Sequence, residues 1–270
     1  MKHLKIEKEF LQTLKTITKA VNDVYKLAVL PNGDLITSFS NFPITIWDAN
    51  DGALKKKLFG HTGFVNCLTV VGDNCLVSAS ADKTIKIWNL SEGTVERTLT
   101  DHTHSIEALK VLKNGELASG SADNTIKMWN IEDGTLVKTL TGHSQAVCSL
   151  AVLSNGDLVS GSADSTIKIW DVDSGTVKKT LIGHTGSVLR LILRKNGDLV
   201  SSSSDKTIKI WNAEEGTVKM TLTGHTGYIS SILVLKNGDL VSWSGDGLIN
   251  IWDVETGTVK KRHHSLMSSS

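Results

Sequence analysis

Ser162–Val188 reads SADSTIKIWDVDSGTVKKTLIGHTGSV, and much of it returns one unit later, at Ser203–Ile229, as SSDKTIKIWNAEEGTVKMTLTGHTGYI. The tryptophans keep the beat along the whole chain: Trp47, Trp88, Trp129, Trp170, Trp211 and Trp252 are spaced by 41 residues each time. So do the histidines His61, His102, His143, His184 and His225, and the turn pairs Asn32-Gly33, Asn114-Gly115, Asn155-Gly156, Asn196-Gly197 and Asn237-Gly238. Aligning His143–Gly183 with His184–Gly224 without a gap gives 23 identical residues out of 41. A fixed period of this size marks a repeat architecture.

Within one unit every signal is strand or turn. SVLRLIL is apolar and runs into Asn196-Gly197, which reads as a two-residue hairpin turn. DLVSSSS returns to Asp205, TIKIW alternates isoleucine with lysine, Glu215-Gly216 turns again, and TVKMTL leads to Gly224-His225. This predicts four short antiparallel strands per unit, a to d, joined as a meander, with six units in the chain. Only the first dozen residues have a pattern open to a helix.

Gly-His, Ser-x-Ser-x-Asp and Trp-Asp/Asn at one fixed spacing resemble the WD-repeat (WD40) family, over about residues 12–263. The resemblance implies an all-β, six-bladed β-propeller of four-stranded antiparallel blades around a channel. The alternative is a share of a seven-bladed or oligomeric ring. Residues 1–11 read as an N-terminal extension, 12–263 as one propeller domain, and 264–270 as a flexible tail.

The resemblance also implies a hydrogen-bonded set in each blade, running from the histidine through the aspartate and a strand-b serine to the indole N–H. The sets are His61, Ser78, Asp82 and Trp88; His102, Ser119, Asp123 and Trp129; His143, Ser160, Asp164 and Trp170; His184, Ser201, Asp205 and Trp211; and His225, Ser242, Asp246 and Trp252. A buried indole needs an acceptor and a buried carboxylate needs donors. Histidine, serine and aspartate together also suggest a hydrolase, but a nucleophile must be exposed, and a catalytic set has no reason to occur five times. The first blade departs from the pattern: Ala20, Thr37 and Asn41 replace histidine, serine and aspartate, and Pro43 enters its b–c turn.

Ring closure has two candidate strands, Gln12–Thr18 and Thr258–His263, and the N-terminal one is favoured because His263 breaks the apolar pattern. The residue between the two strand-b serines is small in the middle blades and reads as aromatic at the ends of the chain, as Phe39 and Trp243, bulk suited to a looser joint there.

If the shared residues hold the fold, function belongs where the units differ, at the channel mouth beside the histidine and aspartate. The candidates are Asp23 and Tyr25 in blade one, Phe64 and Asn66 in blade two, and Glu107 in blade three. Blade four offers Cys148, blade five Leu189 and Arg190, and blade six Tyr228 and Ser230. Exposed aromatics are typical protein anchors. With few arginines on this face a phosphopeptide is not indicated, and Glu107 and Asp23 suit a basic peptide.

Hydrophobic content of 40%, charged content of 21% and a net charge of +1 are ordinary for a globular protein and give no electrostatic case for nucleic acid or an anionic membrane. No apolar run approaches a spanning helix, and the first residues lack the apolar stretch of a signal peptide. Cys67, Cys75 and Cys148 form no CxxC pair and read as reduced residues of a cytoplasmic protein. No metal or nucleotide motif is present, so no cofactor is expected. The expectation is a monomeric, non-enzymatic scaffold for a protein or peptide partner. The rivals are a propeller enzyme or small-ligand binder using the channel, and an amplified or designed repeat without an evolved partner.

Overall fold

The computed structural model describes residues 24–39 and 43–264. They form six four-stranded antiparallel sheets, each pairing its strands in chain order. Blade one holds β1 (Val24–Val29), β2 (Leu35–Phe39), β3 (Ile44–Trp47) and β4 (Leu54–Leu58); blade two holds β5 (Val65–Val71), β6 (Cys75–Ser80), β7 (Ile85–Asn89) and β8 (Thr94–Leu99). Blade three is β9 (Ile106–Val111), β10 (Leu117–Ser121), β11 (Ile126–Trp129) and β12 (Leu136–Leu140); blade four is β13 (Val147–Val152), β14 (Leu158–Ser162), β15 (Ile167–Trp170) and β16 (Val177–Leu181). Blade five is β17 (Val188–Leu193), β18 (Leu199–Ser203), β19 (Ile208–Asn212) and β20 (Thr217–Leu222); blade six is β21 (Ile229–Val234), β22 (Leu240–Ser244), β23 (Leu248–Trp252) and β24 (Val259–His264). The architecture is a six-bladed propeller. Its first strands, β1, β5, β9, β13, β17 and β21, touch one another in succession and line the ring's interior.

Burial follows position. Strand b is covered by a and c within the sheet and by a blade on either face, so Leu158–Ser162 is buried at every residue. Strand d lies outermost, and Val177–Leu181 is buried only at Leu181. In strand c, Ile167 and Ile169 face one neighbouring blade and Trp170 the other, as the two-residue period requires. Five buried apolar clusters follow from this, one at each joint from one–two to five–six.

The Asn-Gly turns are not the two-residue type. Leu30 N–H bonds to Asp34 O, Gly33 N–H bonds to Leu30 O, and of the pair only the glycine has positive φ (92°). The loop is Pro31-Asn32-Gly33, a turn followed by a left-handed glycine. Asn32 Oδ1 accepts the N–H of Asp34 instead of taking a left-handed conformation itself.

Among the described residues no joint comparable to these five connects β21 back to β1, and the edges of blades six and one are covered differently. Ile85, Ile126, Ile167 and Ile208 are fully buried, while Ile249 at the same phase is half-buried. In blade one Trp47 is half-buried where the other five tryptophans are sealed, and Leu27 and Val29 are 41% and 48% exposed. Sterics explain part of this. At joints three–four and four–five, a Cβ on Gly120 or Gly161 would stand 2.6 Å from Cγ1 of Val147 or Val188 in the next blade. Trp243 holds that register position in blade six, opposite Ser231 as Gly120 is opposite Ala108. An indole there does not fit the spacing of the other joints.

The blade-one counterpart of Trp243 is not Phe39, as read from sequence, but Ser38, which pairs with Lys26. Phe39 pairs with Val24, the place Ser80 holds against Val65. The outer strand of blade six is the C-terminal candidate, ending at His264 instead of His263. Gln12–Thr18 lies outside the described residues.

Trp170→Ala is expected to lower stability by about 3–5 kcal/mol, the range for truncating a large core side chain. Trp47→Ala is expected to cost clearly less, because its indole is only half-buried. Denaturant midpoints of the two variants check the difference; equal losses would contradict the open packing of Trp47.

Candidate functional site

At the top of each blade the d–a loop meets the b–c turn, and a chain of hydrogen bonds descends from there into the core. In blade four Trp170 Nε1–H donates to Ser160 Oγ at 2.7 Å, Ser160 Oγ lies 2.7 Å from His143 Nε2, and His143 Nδ1 lies 2.8 Å from Asp164 Oδ2. The directions follow from the indole. Its only role is donor, so the serine accepts it and passes its own proton toward Nε2, leaving Nδ1–H for the carboxylate. The same chain recurs through Trp88–Ser78–His61–Asp82, Trp129–Ser119–His102–Asp123, Trp211–Ser201–His184–Asp205 and Trp252–Ser242–His225–Asp246, with every link between 2.7 and 2.9 Å. Blade one keeps the last link, Trp47 Nε1–H to Thr37 Oγ1 at 2.7 Å.

The aspartate also holds the turn. Asp164 accepts the N–H and hydroxyl of Thr166 and the N–H of Ser144 across the loop. Between them Ser165 has φ of 69°, as Lys83, Asn124 and Lys206 have near 70° in their blades. That conformation is unfavourable for an L-residue by about 1–2 kcal/mol, and the bonds around it maintain it. Burial opposes ionisation of Asp164, but its hydrogen bonds from Thr166, His143 and the backbone outweigh this and hold the carboxyl at about 2. Asp123 and Asp246 are likewise held at about 2. Burial keeps His102, His143 and His184 below their ordinary 6.5, against the opposing pull of their aspartates.

Aspartate, histidine and serine at these distances have the internal geometry of a hydrolytic triad, without its access. All five serines are fully buried, and each hydroxyl is saturated by an indole on one side and an imidazole on the other. A carbonyl carbon has no approach to them.

The residues that differ between blades share a second device. Strand a carries a bulge against strand b in every blade, with register shifts at Val65/Cys67, Val147/Ser149, Val188/Arg190 and Ile229/Ser231, and its counterparts in blades one and three. The extra residues are Tyr25, Asn66, Glu107, Cys148, Leu189 and Ser230. A bulge re-aims the side chain it carries, so in blades two to six one variable residue leaves the alternation of the pleat.

Their environments differ. Asn66 is 7% exposed, and its amide donates to Ser105 Oγ and to Ile106 O at 3.0 Å each. It ties blade two to blade three instead of facing outward. Glu107 is half-buried and accepts from Ser105 Oγ at 2.6 Å. Cys148 is half-buried, and burial pushes its thiol up to about 11, away from reactivity. Leu189 and Arg190 are half-buried, and Ser230 is exposed. Phe64 and Tyr228 are 45% and 54% exposed. The Tyr228 ring lies over Gly245, where a Cβ would come within 2.4 Å of Cε1. Asp23 and the side chain of Tyr25 lie outside the described residues.

Two features escaped the sequence reading. Lys26 occupies the register position of Arg190 and joins it at the channel mouth. At the opposite end, Lys55 pairs with Asp34 at 2.8 Å, Lys178 with Asp157 at 2.7 Å and Lys260 with Asp239 at 2.9 Å, and Lys219 pairs with Asp198. The signal was present in the aspartate after each Asn-Gly and a lysine in phase with it. Among the described residues no three histidine, cysteine or acidic side chains converge to hold a metal ion.

Comparison with known families agrees with this geometry. The WD40 profile (WD domain, G-beta repeat) matches residues 52–89, 93–130, 134–171, 175–212 and 216–253. The chain belongs to the WD40 family, whose propellers are generally non-enzymatic scaffolds that bind proteins or peptides. Each matched repeat begins beside strand d of one blade and ends with strand c of the next, so every repeat straddles a joint. The first three strands of blade one, which lack the histidine and aspartate, fall outside all five matches. No curated protein matches the chain.

Ser160→Ala leaves the Trp170 N–H and His143 Nε2 without partners and is expected to destabilise by about 1–3 kcal/mol for each orphaned group. Ser160→Thr, which keeps the hydroxyl as Thr37 does in blade one, is expected to cost less. Denaturant unfolding of the two variants checks this.

The network also sets a pH dependence. Below 6.5 the unfolded chain protonates His102, His143 and His184 while the folded chain resists, so stability falls as pH falls. Between 3.8 and about 2 the unfolded carboxyls of Asp123, Asp164 and Asp246 take up protons that the folded ones refuse, and the fall continues. Melting temperature against pH is therefore expected to decline on acidification from 6.5 onward. A rise in that range would contradict neutral buried imidazoles.

Proposed function

We propose that this propeller is a non-enzymatic interaction scaffold that binds an extended segment of a protein partner on its top face, across the mouth of the channel. The observation that carries the reading is the division of labour at that face. The residues common to the blades are consumed in the hydrogen-bond chains, while the residues that differ stand at the bulges and in the adjoining loop. Phe64 and Tyr228 supply exposed aromatic area there, the kind of surface that anchors a peptide. Leu189 and Ser230 add an apolar and a polar contact on the same rim. The serine hydroxyls, being sealed, give no support to a hydrolase.

The test is capture from a native lysate by the full chain, run beside a Phe64→Ala/Tyr228→Ala variant whose melting temperature matches the parent. A partner held by the parent and reduced at least about tenfold in the variant supports the reading, since loss of one or two anchors is worth at least about 1.4 kcal/mol. A partner retained equally by both places the contact away from the top face.

A further inference from the structure

The a–b and c–d turns lie at the end of each blade opposite the hydrogen-bond chains, and between blades four and five they frame a cavity of about 690 Å³. Its apolar floor is Leu153, Ile169 and Ala213. The same place between blades one and two, with Leu30, Ile46 and Leu90 as its floor, encloses about 340 Å³. Leu30 and Leu153, Ile46 and Ile169, and Leu90 and Ala213 are in phase, three units apart. The two cavities are therefore one feature of the repeat, and their floors differ at a single residue.

That residue belongs to the core of a joint. In phase with Ala213, the c–d turns of blades two, three, four and six carry Leu90, Ile131, Val172 and Val254. Leu90 and Val254 are buried members of the apolar cluster at their joints, and Ile131 and Val172 are half-buried against theirs. Ala213 packs against the four–five cluster in the same way but lacks the γ and δ carbons that the others place there. This joint is left open where its neighbours cover an aliphatic chain. The rim is neutral, with Lys178, Lys179 and Lys219 set against Asp157, Asp198 and Glu214. Lys178 lies 2.7 Å from Asp157, Lys219 pairs with Asp198, and Lys179 donates to Glu214 O. Asp157 and Asp198 also accept from the amides of Asn155 and Asn196. A charged occupant would have to break one of these pairs, so the surface that remains to be covered is the apolar floor.

We propose that this cavity is a second binding site, on the face opposite the hydrogen-bond chains, and that it takes an uncharged branched aliphatic side chain, Leu, Ile or Val, from a peptide segment of a protein partner. The fold itself defines the occupant, because four other blades fill the place with a Leu, Ile or Val of their own. The neutral rim matches a side chain without charge. The volume exceeds that of one side chain and falls within the roughly 300–1,000 Å³ of ligand sites, which leaves room for the segment's backbone beside it. Asn212 at the rim offers an amide to that backbone. The site does not depend on the top-face reading.

The experiment is selection of random displayed peptides on the full chain, with free Ala213→Leu in excess so that only peptides using the cavity are kept. Affinities are then measured on the parent, Ala213→Val, Ala213→Leu and Phe64→Ala/Tyr228→Ala. The expected result is a set of peptides sharing a Leu, Ile or Val. Ala213→Leu should bind them at least about tenfold more weakly, and Ala213→Val by an intermediate factor, in line with the loss of a buried aliphatic group. Replacing the shared peptide residue with Ala should cause the same loss in the parent and none further in Ala213→Leu. Phe64→Ala/Tyr228→Ala should bind as the parent does. Both variants at position 213 should melt no lower than the parent, because Leu or Val already stands in this place in blades two, four and six. Selection of no peptide, peptides that share a charged residue instead of an aliphatic one, or equal binding by Ala213→Leu would overturn the site. A lower melting temperature in both variants would also overturn it, since the cavity would then not admit a branched side chain. Self-association of the parent that Ala213→Leu abolishes would give the cavity to a second copy and overturn the peptide partner. Peptides lost on Phe64→Ala/Tyr228→Ala but not on Ala213→Leu would overturn this site and leave the top-face reading standing.

Discussion

The indole N–H of the blade tryptophan is the constraint from which the rest follows. Five indoles are sealed, and a sealed donor needs an acceptor. Serine supplies it and in turn needs somewhere to send its own proton. The imidazole accepts that proton and presents its second N–H to a carboxylate, and the carboxylate ends the chain by gathering backbone N–H groups from two loops. Each link exists to satisfy the one before it. The chain thus joins the apolar interior of a blade to its upper rim and fixes a left-handed turn residue on the way. Strand pairing alone would leave that rim as independent hairpin loops. The network makes it a rigid frame, repeated around five sixths of the ring.

That frame explains why a catalytic-looking trio is not a catalytic site. Distances between aspartate, histidine and serine do not distinguish the two cases. Access and the state of the hydroxyl do. In blades two to six the serine oxygen already accepts from the indole and its proton is directed to the imidazole, and no surface reaches it. The imidazole edge contacts the indole at 5.8–6.2 Å between centroids, filling the space a substrate would need.

Much of this was legible in the sequence because the period is gapless and each feature has a local signature. Strand order, blade number and the membership of the hydrogen-bond sets all follow from residues repeated in phase. What escaped depends on departures from ideal register. The bulge in strand a leaves no mark in residue type, so Asn66 read as a rim residue although its amide bridges to the next blade. The glycine of Asn-Gly, not the asparagine, takes the left-handed turn, because the aspartate that follows offers its N–H to the asparagine side chain. A shift of one residue moved Phe39 into a place held by Ser38, and in a strand one residue is the whole difference between faces. Lys26 has no signature in the sequence because blade one is the most divergent unit and lacks the histidine and aspartate that mark the phase elsewhere.

Blade one and the edge of blade six gather the exceptions: a first unit without the histidine and aspartate of the set, half-buried Ile249 and Trp47, and an indole at Trp243 where other blades hold a small residue. These weaknesses lie on the same side of the ring as Tyr228 and Lys26. In a repeat protein, stability is approximately a sum of units and joints, so a poorer joint lowers the local opening energy there without unfolding the other blades. The hydrogen-bond frame thus braces blades two to six, while blade one does without its histidine and aspartate.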